Sequence, residues 1–304
     1  MKNTLFALLF LVLIVSSCTK NENIIVKDND IFDPRSVPTV QVENYVNKIF
    51  IDLLGREPLD EEMVKEVQVL RDSNLSYVAR EFLITKLMTD ETYVEGDSSY
   101  RTAYYRRIYE TVKAKLCEGA ADGEFTRYVG LAGFAIKVGR LEGDSIRVYG
   151  GLEQQRRNQT VVDSRKQYER DSIDLQEMFA RLLDNNVYDV INMNTFNFVN
   201  ASFDDLLGRF PIQAEFDVAY DIIQNNSSGS LFGGSASNKR EYCLMLVNSM
   251  EFSESAIRWA YQSLLGRQPS TQEVHNLVLD FHGSRDFQQV QLTIMRTNEY
   301  ANFN

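Results

Sequence analysis

The sequence predicts an all-α protein, a helical bundle of repeated helix-turn-helix units that follows a flexible N-terminal tether. One thirteen-residue pattern begins at Phe50, Phe203 and Tyr261: an aromatic residue, two variable positions, Leu-Leu-Gly-Arg, a proline two residues later and a glutamate four residues after that. Apolar residues three or four positions apart follow each copy, which is the period of a helix. Within the pattern, glycine ends one predicted helix and proline begins the next.

The N-terminal residues 1–17 are predicted to be a signal peptide and are set aside when the fold is considered. Lys2 precedes eleven consecutive apolar residues, fewer than the roughly 20 that a membrane-spanning helix needs. The segment Val15-Ser16-Ser17-Cys18 resembles the lipobox of bacterial lipoproteins. Cys18 is therefore the predicted site of lipidation. The alternative is a plain secretory leader with a cysteine near its cleavage site.

Residues 18–40 are polar and charged and include Pro34 and Pro38, a composition typical of a tether. Several acyl chains on one cysteine give a durable anchor, because each buried methylene contributes about 0.8 kcal/mol. We therefore expect the protein in the cell envelope, lipid-anchored in the outer membrane of a Gram-negative bacterium. Lys20-Asn21-Glu22 loosely resembles an acidic signal for surface export, and an ordinary solvated linker explains it equally well.

The charge of the chain excludes some partners. Removing residues 1–17 takes away one lysine, which leaves 31 basic and 43 acidic residues. Nucleic acid is a poor partner for so acidic a chain, since its binding depends on Lys and Arg at the phosphates. Anionic headgroups also repel the chain as a whole, so its attachment to a membrane is expected to come from the lipid.

The repeated pattern is interpreted as a corner between two helices. Glycine adopts the left-handed conformation at the end of the first helix at little cost, and proline is suited to start the second. All three prolines after position 38 occupy the same place in the pattern, so chance is a poor explanation. Arginine and glutamate lie across the turn and are expected to fix it rather than to catalyse a reaction. The residues of this structural turn motif are Gly55, Arg56, Pro58, Glu62, Gly208, Arg209, Pro211, Glu215, Gly266, Arg267, Pro269 and Glu273.

Ser270 and Glu273 also form an S-x-x-E capping box in the third copy. Leu59 and Ile212 occupy the serine position in the other two copies, so their caps are expected to differ.

The pattern, its acidic-aromatic endings such as Glu299-Tyr300, and the segment Val78–Tyr93 resemble a known kind of helical domain. They are similar to a bacterial surface-protein domain of unknown function and to the helical domain of phycobilisome linker polypeptides. The first copy also resembles helical domains found beside cytochrome-type modules, but the chain has no Cys-x-x-Cys-His haem attachment motif. The resemblance implies an all-helical scaffold used for assembly or binding, with no catalytic residues to carry over.

The chain is accordingly divided around its repeats. A helical insert separates the first copy from the second, with one helix predicted over residues 100–116 and a single long amphipathic helix over residues 152–185. The predicted segments are 1–17 (signal peptide), 18–40 (lipidated tether), 41–97 (repeat 1), 98–200 (insert), 201–257 (repeat 2) and 258–304 (repeat 3).

The insert contains a stretch rich in glycine. Residues 119–151 hold eight of the 16 glycines, and residues 128–138 within it are apolar and small. One interpretation, which we favour, is a closely packed helix whose glycines admit a neighbour. The other is a surface that docks a partner or touches lipid.

The loop at residues 225–238 is rich in Gly, Ser and Asn, and its composition predicts flexibility. Leu231 and Phe232 at its tip are candidate partner-binding residues, and a tolerated insertion is the commoner explanation of such a loop. Cys117 and Cys243 are the only cysteines after Cys18, and sequence alone does not establish whether they pair.

Two triplets, Asp144-Ser145-Ile146 and Asp171-Ser172-Ile173, resemble an O-glycosylation motif. Whether Ser145 or Ser172 is modified is left open, because such triplets are common by chance.

Motifs for catalysis, phosphate binding or metal binding are absent from the sequence. There is no G-x-S-x-G, Walker loop or H-E-x-x-H, and His275 and His282 have no cysteine or second ligand pair beside them. We therefore expect no cofactor and no metal. The leading hypothesis is a non-enzymatic, lipid-anchored scaffold or accessory subunit that binds other envelope proteins. The alternative is a surface lipoprotein that binds or processes carbohydrate, suggested by abundant tyrosines and carboxylates.

Overall fold

The computed structural model describes residues 33–94 and 98–303. The predicted signal peptide, Cys18 and the tether up to residue 32 lie outside the described residues. The predicted all-α class is confirmed, since the described residues form fifteen helices and one short two-stranded hairpin. Its helices are α1 (Thr39–Leu54), α2 (Asp60–Asp72), α3 (Tyr77–Thr89), α4 (Tyr100–Cys117), α5 (Asp122–Glu142), α6 (Ser145–Glu169), α7 (Leu175–Leu183), α8 (Asn186–Asn192), α9 (Thr195–Leu207), α10 (Gln213–Asn225), α11 (Lys239–Val247), α12 (Met250–Leu265), α13 (Thr271–Ser284), α14 (Phe287–Met295) and α15 (Asn298–Ala301).

The three predicted corners each join two helices: α1 to α2, α9 to α10, and α12 to α13. A third helix follows each pair, namely α3, α11 and α14. Before α1 the chain is already packed, because Val37 is buried and its carbonyl accepts a hydrogen bond from Arg71 Nη2 at 2.7 Å. The described end of the predicted tether therefore lies against α2.

The insert forms α4 to α8. The helix predicted over residues 100–116 is confirmed as α4. The single helix predicted over residues 152–185 is wrong, because the chain breaks between α6 and α7. Asp171 adopts a left-handed conformation there (φ 54°), and the Asp174 side chain accepts a hydrogen bond from the Glu177 N–H at 2.7 Å to start α7. Short polar side chains of this kind compete with helical hydrogen bonds, which explains the break.

The flexible loop predicted at residues 225–238 is instead largely an ordered β-hairpin. Strands β1 (Gly229–Leu231) and β2 (Gly234–Ala236) pair in antiparallel register. Phe232 and Gly233 between them both have positive φ, 54° and 79°, as type I′ hairpin turns require. Gly229 packs against α10 so closely that an added Cβ would lie 2.8 Å from a methyl group of Val218. The hairpin is thus part of the second repeat.

The end of the third repeat packs on the beginning of the first. Tyr300 Oη donates a hydrogen bond to Asp52 Oδ2 of α1 at 2.6 Å. The Tyr300 and Phe303 rings both make edge contacts with Tyr45, with centroid separations of 6.0 and 5.3 Å. The first and third repeats therefore belong to one folded body.

Candidate functional site

In each predicted corner, the arginine forms a salt bridge with the glutamate six residues later in the sequence. The helix before it ends at a left-handed glycine, with φ between 68° and 74° in the three copies. The guanidinium then donates two hydrogen bonds to one carboxylate, a geometry that is stronger than a single contact. The pairs and their two N–O distances are Arg56–Glu62 (2.7 and 2.9 Å), Arg209–Glu215 (2.7 and 2.8 Å) and Arg267–Glu273 (3.0 and 2.7 Å).

The same glutamates also start the second helix of each corner. Their carboxylates accept the N–H of Leu59, Ile212 and Ser270 at 2.7, 2.9 and 2.7 Å. The predicted difference between the caps is therefore confined to the serine hydroxyl, which accepts the Glu273 N–H at 3.3 Å. The three corners share the half of the capping box that the glutamate supplies.

A further glutamate binds the arginine in the second and third corners, a role that local sequence does not reveal. Glu251 and Glu299 come from the acidic-aromatic endings. Arg209 binds Glu251, with one N–O distance of 3.0 Å, and Arg267 binds Glu299 at 2.7 Å. In the first repeat the hydroxyl of Tyr100 donates a hydrogen bond to Glu62 at 2.7 Å. The recurring Ser/Thr-x-Glu-aromatic spacing was the available signal.

These ion pairs hold the glutamates in their charged form. The guanidinium of Arg267, aided by the Ser270 N–H, lowers the pKa of Glu273 to about 2. Arg209 likewise lowers the pKa of Glu215. Such carboxylates have no proton to give near neutral pH, so the corners suit a structural role and not acid–base chemistry.

An exposed aromatic surface lies on the second repeat beside its corner. We define the α9–α10 surface as Phe196, Ile212, Phe216 and Tyr220. The Phe196 and Phe216 ring centroids are 5.0 Å apart, and those of Phe216 and Tyr220 are 5.8 Å apart and stacked. Ile212 lies one helical turn before Phe216, and it and Phe196 are 64% and 59% exposed. The four side chains form one apolar strip across two helices.

The third repeat differs from the second at this strip. Val274 and Val278 occupy the positions of Phe216 and Tyr220 when the corners are aligned on their glycines. Both valines are buried, whereas Phe216 and Tyr220 are partly open to solvent. The second repeat therefore carries larger, aromatic residues on a helix face that the third repeat buries.

The candidate partner-binding residues Leu231 and Phe232 lie in the β-hairpin of the same repeat. Both are half-buried. The Phe232 ring centroid is 5.8 Å from that of Phe203 on α9. Phe232 thus contributes to packing the hairpin on the repeat, and partner binding by this pair stays a prediction.

The glycine-rich stretch forms part of an antiparallel hairpin of α5 and α6. An added Cβ at Gly139 would lie 2.9 Å from Val148 Cγ2, and one at Gly151 would lie 2.7 Å from Ile136 Cγ1. These two glycines therefore admit the neighbouring helix. Within residues 128–138, an added Cβ would meet nothing within 4 Å at Gly130 and only Gln155 Nε2, at 3.9 Å, at Gly133, so the close packing lies outside that segment. Other side chains of the stretch stay open, and Phe134 is 65% exposed.

A cleft of about 790 Å³ lies between the turn after α6 and the turn that joins α13 to α14. Its wall includes Tyr105 and Tyr168, of which only 5% and 8% are exposed. Its four carboxylates all have partners within the chain: Asp171 with Arg101, Asp174 with Arg285, Glu177 with Arg181, and Asp286 with the Gln289 N–H. The cleft is roomy and polar, but it presents little aromatic surface to a sugar.

The remaining candidate groups are engaged in packing. Cys117 and Cys243 are free thiols and both are buried, and burial raises the pKa of Cys117 to about 12. His282 Nδ1 is hydrogen-bonded to Ser253 Oγ at 2.9 Å. Within residues 33–94 and 98–303, no group of three His, Cys, Asp or Glu side chains is placed to hold a metal ion.

No helix in that part of the chain has the length and apolar character needed to cross a bilayer. Comparison with family models, curated proteins and solved structures finds no match for this chain.

Proposed function

We propose that this protein is a non-enzymatic, lipid-anchored scaffold or accessory subunit of the cell envelope, and that a partner protein docks on the α9–α10 surface. The observation that carries the proposal is the exposed strip of Phe196, Ile212, Phe216 and Tyr220. Protein interfaces are enriched in aromatic residues at their centres, and a few such side chains supply most of the binding energy.

An ion-pair network holds the two helices that carry the strip, and such preorganisation reduces the conformational entropy lost on binding. Arg209 joins the α9–α10 corner to the start of α12 by binding Glu215 and Glu251. Met193 lies just before α9 and is 77% exposed, so the apolar character extends beyond the strip. The resemblance to linker-type helical domains supports the same kind of function.

The lipid anchor is tested separately. The lipobox-like segment ending at Cys18 supports acylation of that cysteine, and cells fed an alkyne fatty acid should label the native chain. A Cys18→Ser chain should remain unlabelled. If the native chain and the Cys18→Ser chain were both labelled, or both unlabelled, the lipid anchor would be withdrawn from the proposal. Docking on the α9–α10 surface would still stand.

The docking surface is tested by photo-crosslinking in living cells. A photoreactive phenylalanine at position 196 or 212 should give one discrete crosslinked partner. The same probe at Leu279, which is 64% exposed on the third repeat, is the matched control and should give none. Phe216→Asp should abolish the crosslink from position 196. Recovery of an uncrosslinked monomer at every position would contradict the proposal.

The alternative is binding or processing of carbohydrate, and the 790 Å³ cleft is the observation that favours it. A glycan array and a hydrolase panel would test it with the native chain and with Glu177→Gln and Asp286→Asn. Binding or turnover that both substitutions abolish would establish the alternative. No binding on the glycan array and no turnover in the hydrolase panel would contradict the carbohydrate hypothesis.

A further inference from the structure

The far end of the α5–α6 hairpin carries unusually exposed apolar side chains. Ile146 and Leu141 are 84% and 80% exposed, the highest values among the large hydrophobic residues that the structure describes. They flank the Gly143–Asp144 turn, and Tyr149 one turn further along α6 is 72% exposed. We define residues 137–149 as the hairpin tip.

The hairpin tip is a well-formed helical end and not a loose loop. Gly143 ends α5 in a left-handed conformation, and its N–H bonds to the Gly139 carbonyl. Asp144 then caps α6 by accepting the Arg147 N–H at 3.0 Å. Val148 is the only residue from 140 to 150 that is even partly buried, and it lies against Gly139 of the opposite helix. The tip therefore holds its shape with apolar side chains directed outwards.

The charges of the hairpin differ from those of the whole chain. Residues 122–169 contain eight basic and seven acidic residues, whereas the whole chain has a net charge of −11. Within the tip, Glu142 is paired with Arg147 at 2.7 Å. Lys137 and Arg140 are exposed and lie within one or two helical turns of Leu141 on α5. The three basic and two acidic residues of the tip give it a net charge of +1 (3 − 2), and Lys137 and Arg140 lie on the α5 side of its apolar end.

We propose that the hairpin tip inserts into the interface of a bilayer that contains anionic phospholipid. Leu141 and Ile146 enter the acyl boundary, Tyr149 lies at headgroup depth, and Lys137 and Arg140 contact the lipid phosphates. Apolar groups bordered by basic residues bind membrane interfaces in this way. An aromatic ring with a polar edge favours the headgroup region.

A bilayer fits this surface better than a protein does. Three side chains at the narrow end of a two-helix rod offer a few hundred Å² of apolar surface, whereas a stable protein interface buries about 800 Å² on each partner. The tip is separate in sequence from the α9–α10 surface, so it does not depend on the proposed docking function. Together with lipid at Cys18, a second membrane contact would fix the orientation of the molecule.

A polarity-sensitive dye placed in the tip of the full chain tests the inference. Ser145→Cys is labelled in a Cys18→Ser background, because Ser145 is exposed while Cys117 and Cys243 are buried. Gln272→Cys, an exposed site at the start of α13, is the matched control. Vesicles of phosphatidylcholine with or without phosphatidylglycerol are added, with spin-labelled lipid as a quencher of dye that enters the bilayer.

We expect a blue shift and quenching at position 145 on anionic vesicles, and neither at position 272. Leu141→Asp should abolish both signals without changing the helix content. Lys137→Gln with Arg140→Gln should weaken insertion by about fivefold for each charge removed. Equal emission from the two sites on vesicles would overturn the inference, whether or not the N-terminal segment binds the bilayer. A shift at position 145 with envelope proteins but not with lipid would replace the bilayer by a protein partner.

Discussion

At the scale of residues, Arg209 and Arg267 each bind the glutamate of their own corner and a second glutamate from a later helix. The side chains of both are about one-third exposed (35%), so solvent screens their ion pairs. An isolated pair at such exposure contributes about 0–1 kcal/mol to the free energy of unfolding. Two-point hydrogen bonds to one carboxylate place these networks at the upper end of that range. Their main effect is to fix the angle between successive helices.

Arg267→Ala tests the corner directly. It removes the contacts with Glu273 and Glu299, and we expect it to lower the free energy of unfolding by about 1 kcal/mol. The matched control is Arg127→Ala, whose exposed partner Glu124 lies on the same helix and whose loss should be undetectable in urea titrations. Equal effects of the two substitutions would mean that the corner network has no special role.

The lowered pKa of Glu273 makes the contribution of this corner depend on pH. Arg267 lowers that pKa from an ordinary value of 4.5 to about 2. A carboxyl with a lowered folded-state pKa stabilises the fold above its unfolded pKa, and this stabilisation is lost as pH falls through the folded value. The stability difference between the native chain and Glu273→Gln should therefore be constant above about pH 5 and shrink towards pH 2. Urea titrations across this range would measure it, and a difference independent of pH would contradict the assignment.

At the scale of elements, the corners and the helix of residues 100–116 were predictable because their signals are local. Gly-Arg-x-Pro marks a helix end and a helix start within five residues. The break between α6 and α7 was missed because the apolar spacing continues across it, while Asp171 and Asp174 redirect the backbone. The β-hairpin was missed because polar, glycine-rich composition describes both a flexible loop and a tight turn. Only the packing of Gly229 against Val218 distinguishes an ordered hairpin from a flexible loop here.

The roles of Glu251 and Glu299 depend on tertiary structure. Each lies more than 30 residues from the arginine that it binds, and no local rule relates the two positions. The α9–α10 surface could not be predicted from the sequence either, because Phe216 and Tyr220 have the spacing of residues that face a helical core. Exposure of that stripe is visible only in the folded chain.

The close crossing of α5 and α6 gives a prediction in which two neighbouring glycines respond with opposite sign. Alanine at Gly151 would place a Cβ 2.7 Å from Ile136 Cγ1 and 3.2 Å from the Ala132 carbonyl, so we expect a loss of about 1–3 kcal/mol. Alanine at Gly150 meets nothing within 4 Å and should stabilise the helix by about 0.5–1 kcal/mol. Thermal or urea unfolding compares them. Stabilisation by both would show that the helices do not pack this closely.

At the scale of the whole molecule, the chain differs from an open array of repeats. Tyr104 of α4 donates a hydrogen bond to Gln291 of α14 at 2.7 Å, which joins the insert to the third repeat. The third repeat in turn contacts the first through Tyr300 and Asp52. In a linear array each repeat contacts only its neighbours and can unfold separately. These long-range contacts instead favour a single cooperative unit that holds the α9–α10 surface and the hairpin tip in fixed positions.

Tyr300→Phe tests that cooperativity at the contact between the first and third repeats. It leaves the ring packing in place but removes the donor to Asp52, a carboxyl whose pKa burial already raises, and we expect a cost of about 1–3 kcal/mol. Trp259, the only tryptophan, stacks on Phe287 within the third repeat. Its ring also makes an edge contact with Phe179 of the insert, with centroids 6.1 Å apart. Its fluorescence therefore reports the third repeat and its contact with the insert, whereas far-UV circular dichroism reports all the helices. One cooperative body requires both signals to shift to the same lower urea midpoint. A circular dichroism transition that precedes the fluorescence change would show that the repeats unfold independently.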